Sequence, residues 1–237
     1  MTMQVAVIAG VGPGLGSSLA RAFAQEGYAI GLISRRRESS EPVAEQIRAN
    51  NGQATIVPID VTQRHAVFQS VDKIRGELGP VTALAYNASG FGRGAFLELD
   101  PEQIRQSLDV GVMGAVHLAQ AVIPDMLARG HGFISLTGAT AALRGRAGFA
   151  PLTIAKSSLR MLGQSLAREF HPKGIHVLHV IVDGQIDTPK LRARDPERSN
   201  ETVIAPDSIA AAVIHAMKQS RDAWTHEIDI RPYVESF

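Results

Sequence analysis

The sequence predicts a single α/β domain spanning residues 1–237, a doubly wound parallel sheet of about seven strands with helices on both faces. Three observations lead to this fold class. Short apolar runs alternate from end to end with longer stretches of helical period, the pattern of strand–helix–strand units with right-handed crossovers. The runs are rich in Val and Ile, as expected of strands covered on both faces. The chain has 237 residues, 45% of them hydrophobic, which suffices for one well-buried core.

Seven short apolar runs are predicted as strands because their composition suits burial on both faces. They are Val5–Ala9, Ala29–Ile33, Ala54–Ile59, Val81–Tyr86, Gly132–Thr137, Ile175–Val182 and Glu227–Ile230. The stretches between them show the helical period and predict six helices. These are Leu15–Glu26, Ser40–Asn50, Thr62–Leu78, Pro101–Ala128, Thr153–Phe170 and Pro206–Lys218.

Capping residues support several of these boundaries. Thr62 precedes a helical stretch, Asp100-Pro101 is a strong helix start, and Asn51-Gly52 and Gly79-Pro80 are stop signals. The stretch Lys190–Glu201 is charged and poor in apolar residues. Residues 190–201 are therefore predicted to form an irregular, mobile substrate flap.

The composition excludes several function classes. Lys and Arg number 24 against 23 Asp and Glu, so a nucleic-acid or membrane-surface partner is not expected. The absence of cysteine excludes disulfides and thiol chemistry and favours a cytoplasmic location. The N-terminus is expected to enter the first strand directly instead of forming a signal peptide, and no apolar run is expected to reach the length of a membrane span. His176 and His179 should point to opposite faces of a strand, so no metal site is predicted.

A glycine-rich loop lies between the first strand and the first helix. Gly10, Gly14 and Gly16 have the spacing G-x-x-x-G-x-G, which brings backbone N–H groups and a helix N-terminus against an anion such as a pyrophosphate. No lysine lies in the loop, which excludes a G-x-x-x-x-G-K-[ST] phosphate loop. A tight turn that serves packing alone is the alternative, but the strand–loop–helix context favours a Rossmann-type dinucleotide site.

Three arginines follow the second strand, where this architecture meets the adenosine ribose. An acidic residue there would bind the 2′-hydroxyl of NAD, whereas arginine accommodates the 2′-phosphate of NADP. Arg35 and Arg36 therefore favour NADP over NAD. Arg37 is interpreted as part of a solvated basic loop.

These motifs resemble the short-chain dehydrogenase/reductase family over essentially the whole chain. The glycine loop is similar to the family's T-G-x-x-x-G-x-G with Ala9 in place of Thr, and Tyr86–Gly90 is similar to N-N-A-G. Asp60-Val61 resembles the adenine-contacting pair, and Asp183–Thr188 falls where the family has P-G-x-[IV]-x-T. The predicted cofactor-binding set is Gly10, Gly14, Leu15, Gly16, Arg35, Arg36, Asp60, Val61, Asn87, Ala88, Ser89, Lys156, Gly184, Ile186 and Thr188.

The resemblance also shows which catalytic groups are missing. The family's tetrad is Asn, Ser, Tyr and Lys, and alignment through Lys156 gives Gly111, Ala139 and Leu152 at the first three positions. A Tyr four residues before a Lys would share its helix face, and the ammonium would favour the phenolate. Leu152 cannot donate a proton, so the resemblance implies a divergent branch with impaired or atypical catalysis.

The resemblance implies that the remaining Lys156 binds the nicotinamide ribose, and an ammonium buried at this place would need such a partner. A surface lysine is the alternative. Asp183, in place of the family's proline, is a possible substitute acid, and an ordinary turn aspartate is the alternative. Thr137, Thr140 and Thr153 could orient a carbonyl but are poor proton donors. Hydride transfer to an iminium or activated alkene, with a proton taken from water, needs no such acid.

Two functions therefore compete. The first is an NADP-dependent oxidoreductase with atypical proton delivery and an unknown small-molecule substrate, and the second is a non-catalytic NADP(H)-binding sensor or regulatory protein. A scaffold that no longer binds dinucleotide is disfavoured by the glycine loop and Lys156. A homodimer or homotetramer is expected because the helix Pro101–Ala128 carries more apolar surface than one sheet face needs. The apolar residues at helical spacing are Ile104, Leu108, Val112, Val116 and Ala119, with Leu118 and Val122 on an adjoining stripe. A long helix packed only on its own sheet is the alternative.

Overall fold

The computed structural model describes residues 3–235 and confirms the predicted fold class. Nine strands are present among these residues. They are β1 (Val5–Ala9), β2 (Ala29–Ser34), β3 (Ala54–Pro58), β4 (Val81–Tyr86), β5 (Gly132–Thr137), β6 (Ile175–Val182), β7 (Gln185–Ile186), β8 (Val203–Ile204) and β9 (Glu227–Ile230). The seven longer strands agree with the prediction to within one residue at each end.

Eight α-helices alternate with the strands in the described part of the chain. They are α1 (Leu15–Gln25), α2 (Glu41–Ala49), α3 (Arg64–Leu78), α4 (Pro101–Leu108), α5 (Gly114–Arg129), α6 (Ala150–Phe170), α7 (Pro189–Arg194) and α8 (Pro206–Met217). The helix α6 begins three residues earlier than predicted, because Pro151 occupies its first turn, where the missing N–H has no intrahelical acceptor.

The seven longer strands form one parallel sheet in the order β3-β2-β1-β4-β5-β6-β9. The chain runs outward from β1 in one direction through β2 and β3, and in the other through β4, β5, β6 and β9. The strand order therefore reverses beside β1, and a crevice opens between the loops that follow β1 and β4. Ala9 is in register with both Ile33 and Tyr86, so the three strands end at one level and their loops surround this crevice.

Two apolar layers cover the sheet, one on each face. One layer includes residues of α3, α5 and α6, with Leu118, Val122 and Leu159 fully buried. The other includes residues of α1, α2 and α8, with Leu19 and Ile209 almost fully buried. This two-sided burial explains why the strands carry continuous apolar runs instead of alternating patterns.

The helix predicted over Pro101–Ala128 is interrupted. A π-helical turn at Asp109–Met113 separates α4 from α5, and Gly111 lies buried within it. Taken as one stretch, Pro101–Arg129 is long and apolar enough to cross a membrane, with a mean hydropathy of 1.4 in its most apolar window. The prediction that no run reaches this length was therefore wrong. The stretch packs on the sheet as a core helix, with 56% of that window buried.

The stretch 190–201 is more regular than predicted. It contains most of α7 and the start of a 3-10 turn at Asn200–Thr202. Arg192 holds the two together, because its guanidinium pairs with Asp187 at 2.6 Å and donates to the carbonyl of Arg198 and to Asn200. The stretch was thus predicted to be irregular from its charge, although Arg192 bonds to Asp187, Arg198 and Asn200, and Arg198 also pairs with Asp195.

Four aromatic and histidine side chains cluster near the start of β6 and should make stability depend on pH. His176 stacks on Trp224 at 4.8 Å, and His171, which accepts a hydrogen bond from the N–H of Val177, lies 5.8 Å from His176 and 6.0 Å from His226. Burial lowers the pKa of both His171 and His176 below 6.5. The folded protein therefore binds fewer protons than the unfolded chain as the pH falls through 6.5.

We expect the free energy of unfolding to be largest above this pH and to decrease as the solution is acidified from about pH 7.5 to about pH 5.5. Trp224 is the only tryptophan, so its fluorescence in urea titrations reports the transition. His176→Phe keeps an aromatic ring on Trp224 and should flatten the pH dependence. Equal urea midpoints at both pH values in the unmodified protein would contradict the prediction.

Candidate cofactor and active site

Two positions at the junction of β1 and α1 have room for glycine only. A Cβ on Gly10 would lie 2.4 Å from the backbone nitrogen of Ala88, and one on Gly16 would lie 2.4 Å from the carbonyl oxygen of Gly10. Gly14, the N-cap of α1, has a φ of 143° and no capping side chain. The first N–H groups of α1, which starts at the buried Leu15, are therefore free of a side-chain cap.

Residues from distant parts of the sequence meet this loop. The side-chain amide of Asn87 donates to the carbonyl of Gly10 at 3.0 Å, and its backbone N–H donates to Ala9. A Cβ on Gly14 would lie 2.9 Å from the methyl group of Thr188. The glycine loop is thus enclosed by the segments that follow β4 and β6, as the predicted dinucleotide site requires.

A cleft of about 790 Å³ lies along the carboxyl ends of β1, β2 and β4. Eight residues of the predicted cofactor set line it: Gly10, Arg35, Arg36, Asp60, Val61, Asn87, Ala88 and Ser89. Lys190 and Ser39 also line the cleft and were missed by the sequence reasoning. Lys190 was assigned to a flap, although a basic side chain beside two arginines is itself a signal for a phosphate.

The other predicted cofactor residues lie outside this lining. Gly14 lines a smaller neighbouring cleft of about 260 Å³. Gly184 has a φ of 158°, and a Cβ there would lie 2.8 Å from the ring of Pro232. Ile186 pairs with Ile204 in the two-stranded sheet of β7 and β8, and Thr188 caps α7 through the N–H of Leu191.

The three arginines after β2 differ in their partners. Arg37 pairs with Glu41 at 2.8 Å, in agreement with its interpretation as a surface residue. Arg35 and Arg36 are exposed, line the cleft and have no carboxylate partner within the described residues 3–235. The hydroxyl of Ser34, which donates to the carbonyl of Arg36 at 2.7 Å, fixes this turn. Two unpaired cations thus face the place where a 2′-phosphate would lie.

Lys156 is almost completely buried in α6, with 4% of its surface exposed. Its ammonium donates to the backbone carbonyl of Thr137 at 2.6 Å, and burial lowers its pKa to about 8. The protein thus supplies one partner for this ammonium, and the ribose as a further partner stays a prediction. Since an ammonium has three N–H donors, two remain for ribose hydroxyls.

The three other positions that the resemblance assigns to catalytic side chains lie in α6 or near turns that pack on it. Ala139 precedes the 3-10 turn Thr140–Ala142, and that turn and the π-helical turn both pack on α6. A Cβ on Gly111 would lie 3.2 Å from the Cβ of Ala155, so a larger residue there needs a small shift of α6. Leu152 lies one helical turn before Lys156 and is half-buried. None of the three can donate a proton from its side chain.

Tyr86 has a role that the sequence reasoning did not identify. It is the last residue of β4 and stands where the family that the chain resembles has Asn. Its buried hydroxyl donates a short hydrogen bond to the carbonyl of Val110 in the π-helical turn. A Cβ on Gly114 would collide with this hydroxyl. Burial, followed by the charge of Asp60, raises the pKa of Tyr86, so the phenol stays protonated and holds the turn beside Gly111.

Asp183 is buried, with 2% of its surface exposed, and lies next to the turn that follows Ala139. Its carboxylate accepts a short hydrogen bond from Thr140 and lies 3.5 Å from Arg144 and 3.4 Å from Arg231. Asp183 thus links Thr140, Arg144 and Arg231, a connection that its turn sequence did not suggest. Its role as a substitute acid stays a prediction.

The histidines of β6 point to opposite faces, as predicted. His176 stacks on Trp224 and contacts Phe133, whereas His179 is fully buried on the other face and bonds Glu227 at 2.9 Å. Arg160 lowers the pKa of Glu227 by a bidentate hydrogen bond, with a smaller contribution from His179. Across the described part of the chain, no group of three His, Asp or Glu side chains is arranged to hold a metal.

Comparison with known proteins agrees with the geometry. A family profile described as "short chain dehydrogenase" matches residues 4–199. An uncharacterized oxidoreductase of Listeria monocytogenes is 27% identical over 238 aligned residues, which cover 97% of this chain and 96% of the relative. An uncharacterized oxidoreductase of Staphylococcus saprophyticus is also 27% identical, with 97% of each chain covered.

Solved structures share the fold over the whole chain. A short-chain dehydrogenase from Rhodopseudomonas palustris is 30% identical with a TM-score of 0.84, covering 98% of this chain and 100% of the other. An alcohol dehydrogenase from Thermococcus sibiricus, solved with 5-hydroxy-NADP, is 24% identical with a TM-score of 0.89 and covers 99% and 98% of the two chains. At that identity the second comparison supports the fold alone.

Proposed function

Since the chain belongs to the short-chain dehydrogenase family, a family of oxidoreductases, we propose that it is an NADP(H)-dependent oxidoreductase whose proton delivery departs from the family's pattern. The observation that carries the cofactor is the pair Arg35 and Arg36, which line the cleft without a carboxylate partner among the described residues. The atypical proton delivery is inferred from the buried Lys156, because the residues at 139 and 152 are Ala and Leu, which cannot donate a proton.

The residues present fit a bound NADP(H). The glycine loop would meet the pyrophosphate with backbone N–H groups, and Arg35 and Arg36 would meet the 2′-phosphate with charge-assisted hydrogen bonds. Asp60 and Val61, which line the cleft, would contact the adenine, and Lys156 has N–H donors left for the ribose. The nicotinamide supplies or accepts the hydride, and the protein orients it.

The substrate we propose accepts hydride without needing a protein acid. A reduced ketone becomes an alkoxide that must be protonated in the site, whereas an iminium carries its charge before reduction and an activated alkene can take its proton from water. In this proposal the N–H donors of Lys156 are used by the carbonyl of Thr137 and by the ribose, and Asp183 is engaged by Thr140 and two arginines. The substrate therefore does not depend on a proton from either side chain.

A second candidate, a non-catalytic NADP(H)-binding sensor or regulatory protein, is supported by the same apolar side chains. Gly111, Ala139 and Leu152 together remove the side-chain donors that an alkoxide would need. Both candidates keep the cofactor cleft, so they differ only in turnover. Both are proposed to act in the cytoplasm, since a chain without cysteine suits a reducing compartment.

Consumption of NADPH distinguishes the two candidates. The purified protein is mixed with NADPH and a panel of ketones, cyclic imines and activated alkenes, and the loss of absorbance is followed. Turnover of imines or alkenes that is lost in Lys156→Ala supports the oxidoreductase. NADPH binding without turnover of any class supports the sensor.

We also propose that the protein is a homodimer or homotetramer. Ile104, Leu108, Val112 and Val116 are only half-buried by their own chain, and Ile154 and Met161 of α6 are 37% and 49% exposed. These side chains leave apolar surface on α4, α5 and α6 without cover from the described residues. A two-fold axis along α4–α6 would bury it in a self-complementary interface.

Light scattering at micromolar concentration should therefore show a dimer or tetramer. Met161→Glu places a charge in the proposed interface and is expected to shift the population toward monomer. Met3→Glu makes the same change at a side chain that is 46% exposed outside these helices and should leave the mass unchanged. A monomer in the unmodified protein would refute the assembly.

A further inference from the structure

Two loops beside Leu152 carry three exposed arginines, and we propose that they bind an anionic group of the substrate, a carboxylate or a phosphate. The arginines are Arg93 in the loop after β4, and Arg144 and Arg146 in the loop before α6. This inference rests on the proposed function, because it assigns a substrate class to the same site. The arginines of the cofactor cleft, Arg35 and Arg36, are a separate pair.

The two loops meet at the N-terminus of α6. The N–H of Gly94 donates to the carbonyl of Gly148 at 3.0 Å. A Cβ on Gly92 would lie 3.2 Å from the side chain of Pro151, and one on Gly145 would lie 3.6 Å from the methyl group of Thr153. Arg93, Arg144 and Arg146 therefore belong to loops that contact the residues on either side of Leu152, the position of the missing tyrosine.

Two of the three arginine charges at this place are not neutralised by the described residues. Arg93 and Arg146 have no carboxylate partner in the described range 3–235, and Arg146 lies over the ring of Phe149 at 5.7 Å. Arg144 is 48% exposed and shares Asp183 with Arg231. The nearest acidic residues of the first loop are Glu98 and Asp100, and Asp100 is occupied as the N-cap of α4.

The helix α6 adds to this positive potential. Its N-cap, Phe149, has no side chain that accepts from the first-turn N–H groups, so the positive end of the helix dipole is uncapped. The hydroxyl oxygen of Thr153 in the same turn is buried and has no hydrogen-bond partner among the described residues. The uncapped helix N-terminus and the hydroxyl of Thr153 thus lie against the two loops that carry the arginines.

The buried Asp183 ties Arg144 to the rest of the fold. Its carboxylate accepts a hydrogen bond from Thr140 and forms ion pairs with Arg231 and Arg144. About half of the Arg144 side chain stays exposed to solvent. An anion bound there orients the rest of the substrate toward the nicotinamide. Binding energy from a group that does not react can supply positioning that a missing tyrosine cannot.

The test measures anion binding by calorimetry on protein saturated with NADPH, which fills the cleft lined by Arg35 and Arg36. The probes are inorganic phosphate, succinate and, as the uncharged match of succinate, succinamide. The double variant Arg93→Glu/Arg146→Glu removes two cations from the proposed site. The control Arg168→Glu makes one such charge change at an exposed arginine near the far end of α6.

We expect at least one of the two anions to bind and succinamide not to bind. The double variant should bind the anion about tenfold or more weakly, because two charge-assisted hydrogen bonds are lost. The control Arg168→Glu should change the affinity for the anion less than twofold. Preference for phosphate or for succinate identifies which anionic group the substrate carries. Absence of binding by both anions, or equal weakening by the control, would overturn the inference.

Binding of NADPH is measured first in every variant, by the fluorescence of the reduced nicotinamide. If the unmodified protein does not bind NADPH, the proposed function fails before the anion is tested. If the double variant binds both NADPH and the anion as tightly as the unmodified protein does, only the proposed anion site is wrong.

Discussion

The unmodified protein is expected to reduce simple ketones with NADPH at rates close to background. Reduction produces an alkoxide, and removing one oxyanion donor lowers kcat by about 10²–10³ in measured cases. Loss of a general acid lowers the rate by a further factor of about 10²–10⁴. The two losses fall on the same developing charge and need not multiply. With Ala139 and Leu152 both apolar, either loss alone makes turnover hard to detect.

Restoring the missing groups tests this explanation directly. Ala139→Ser and Leu152→Tyr together should create weak ketone reductase activity. Adding Gly111→Asn should raise it only if α6 moves, because a Cβ there would lie 3.2 Å from the Cβ of Ala155. A matched Leu152→Phe variant has the ring without the hydroxyl and should stay inactive. Efficient ketone turnover by the unmodified protein, abolished by Asp183→Asn, would show that a substitute acid exists.

The second large effect concerns cofactor choice. Replacing Arg35 and Arg36 with Ala should weaken NADPH binding by roughly 1.5–3 kcal/mol for each charged hydrogen bond that is lost. NADH lacks the 2′-phosphate, so its affinity should hardly change. Fluorescence titration of both nucleotides against the double variant measures the difference.

Arg37→Ala is the matched control for this experiment. It removes an arginine from the same turn, but one that pairs with Glu41 at 2.8 Å. Its effect on NADPH should be small compared with that of the double variant. Equal weakening of NADPH and NADH by Arg35→Ala/Arg36→Ala would mean that the two side chains shape the loop and do not bind the 2′-phosphate.

The fold was predictable because its strands are buried on both faces. The run Val5–Ala9 is continuously apolar, and Ile175–Val182 is apolar apart from His176 and His179, so the limits of both are visible in the sequence. The interruption at Asp109–Met113 was not visible, because apolar residues continue through it at nearly helical spacing and the hydrogen bond from Tyr86 is a tertiary contact. The strands β7 and β8 have two residues each, too few to give a periodic signal.

The candidate site was predictable where backbone geometry dictates the residue type. Gly10 and Gly16 admit no side chain, so their spacing identifies the loop. Partners of charged groups could not be read in the same way. That Thr137 holds Lys156, and that Asp183 lies between Arg144 and Arg231, depends on elements far apart in sequence. Leu152 alone indicated in the sequence that the tyrosine is missing. The side chains that pack around this position could be identified only in the structure.

Titration of the unmodified protein with NADPH and with NADH, followed by the fluorescence of the bound nucleotide, tests the central claim most directly. That claim is an intact NADP(H) site beside a reaction centre without the family's proton donors. We expect saturable binding of both nucleotides, with NADPH bound about tenfold or more tightly than NADH because of Arg35 and Arg36. Equal affinities, or no binding of either nucleotide, would contradict it.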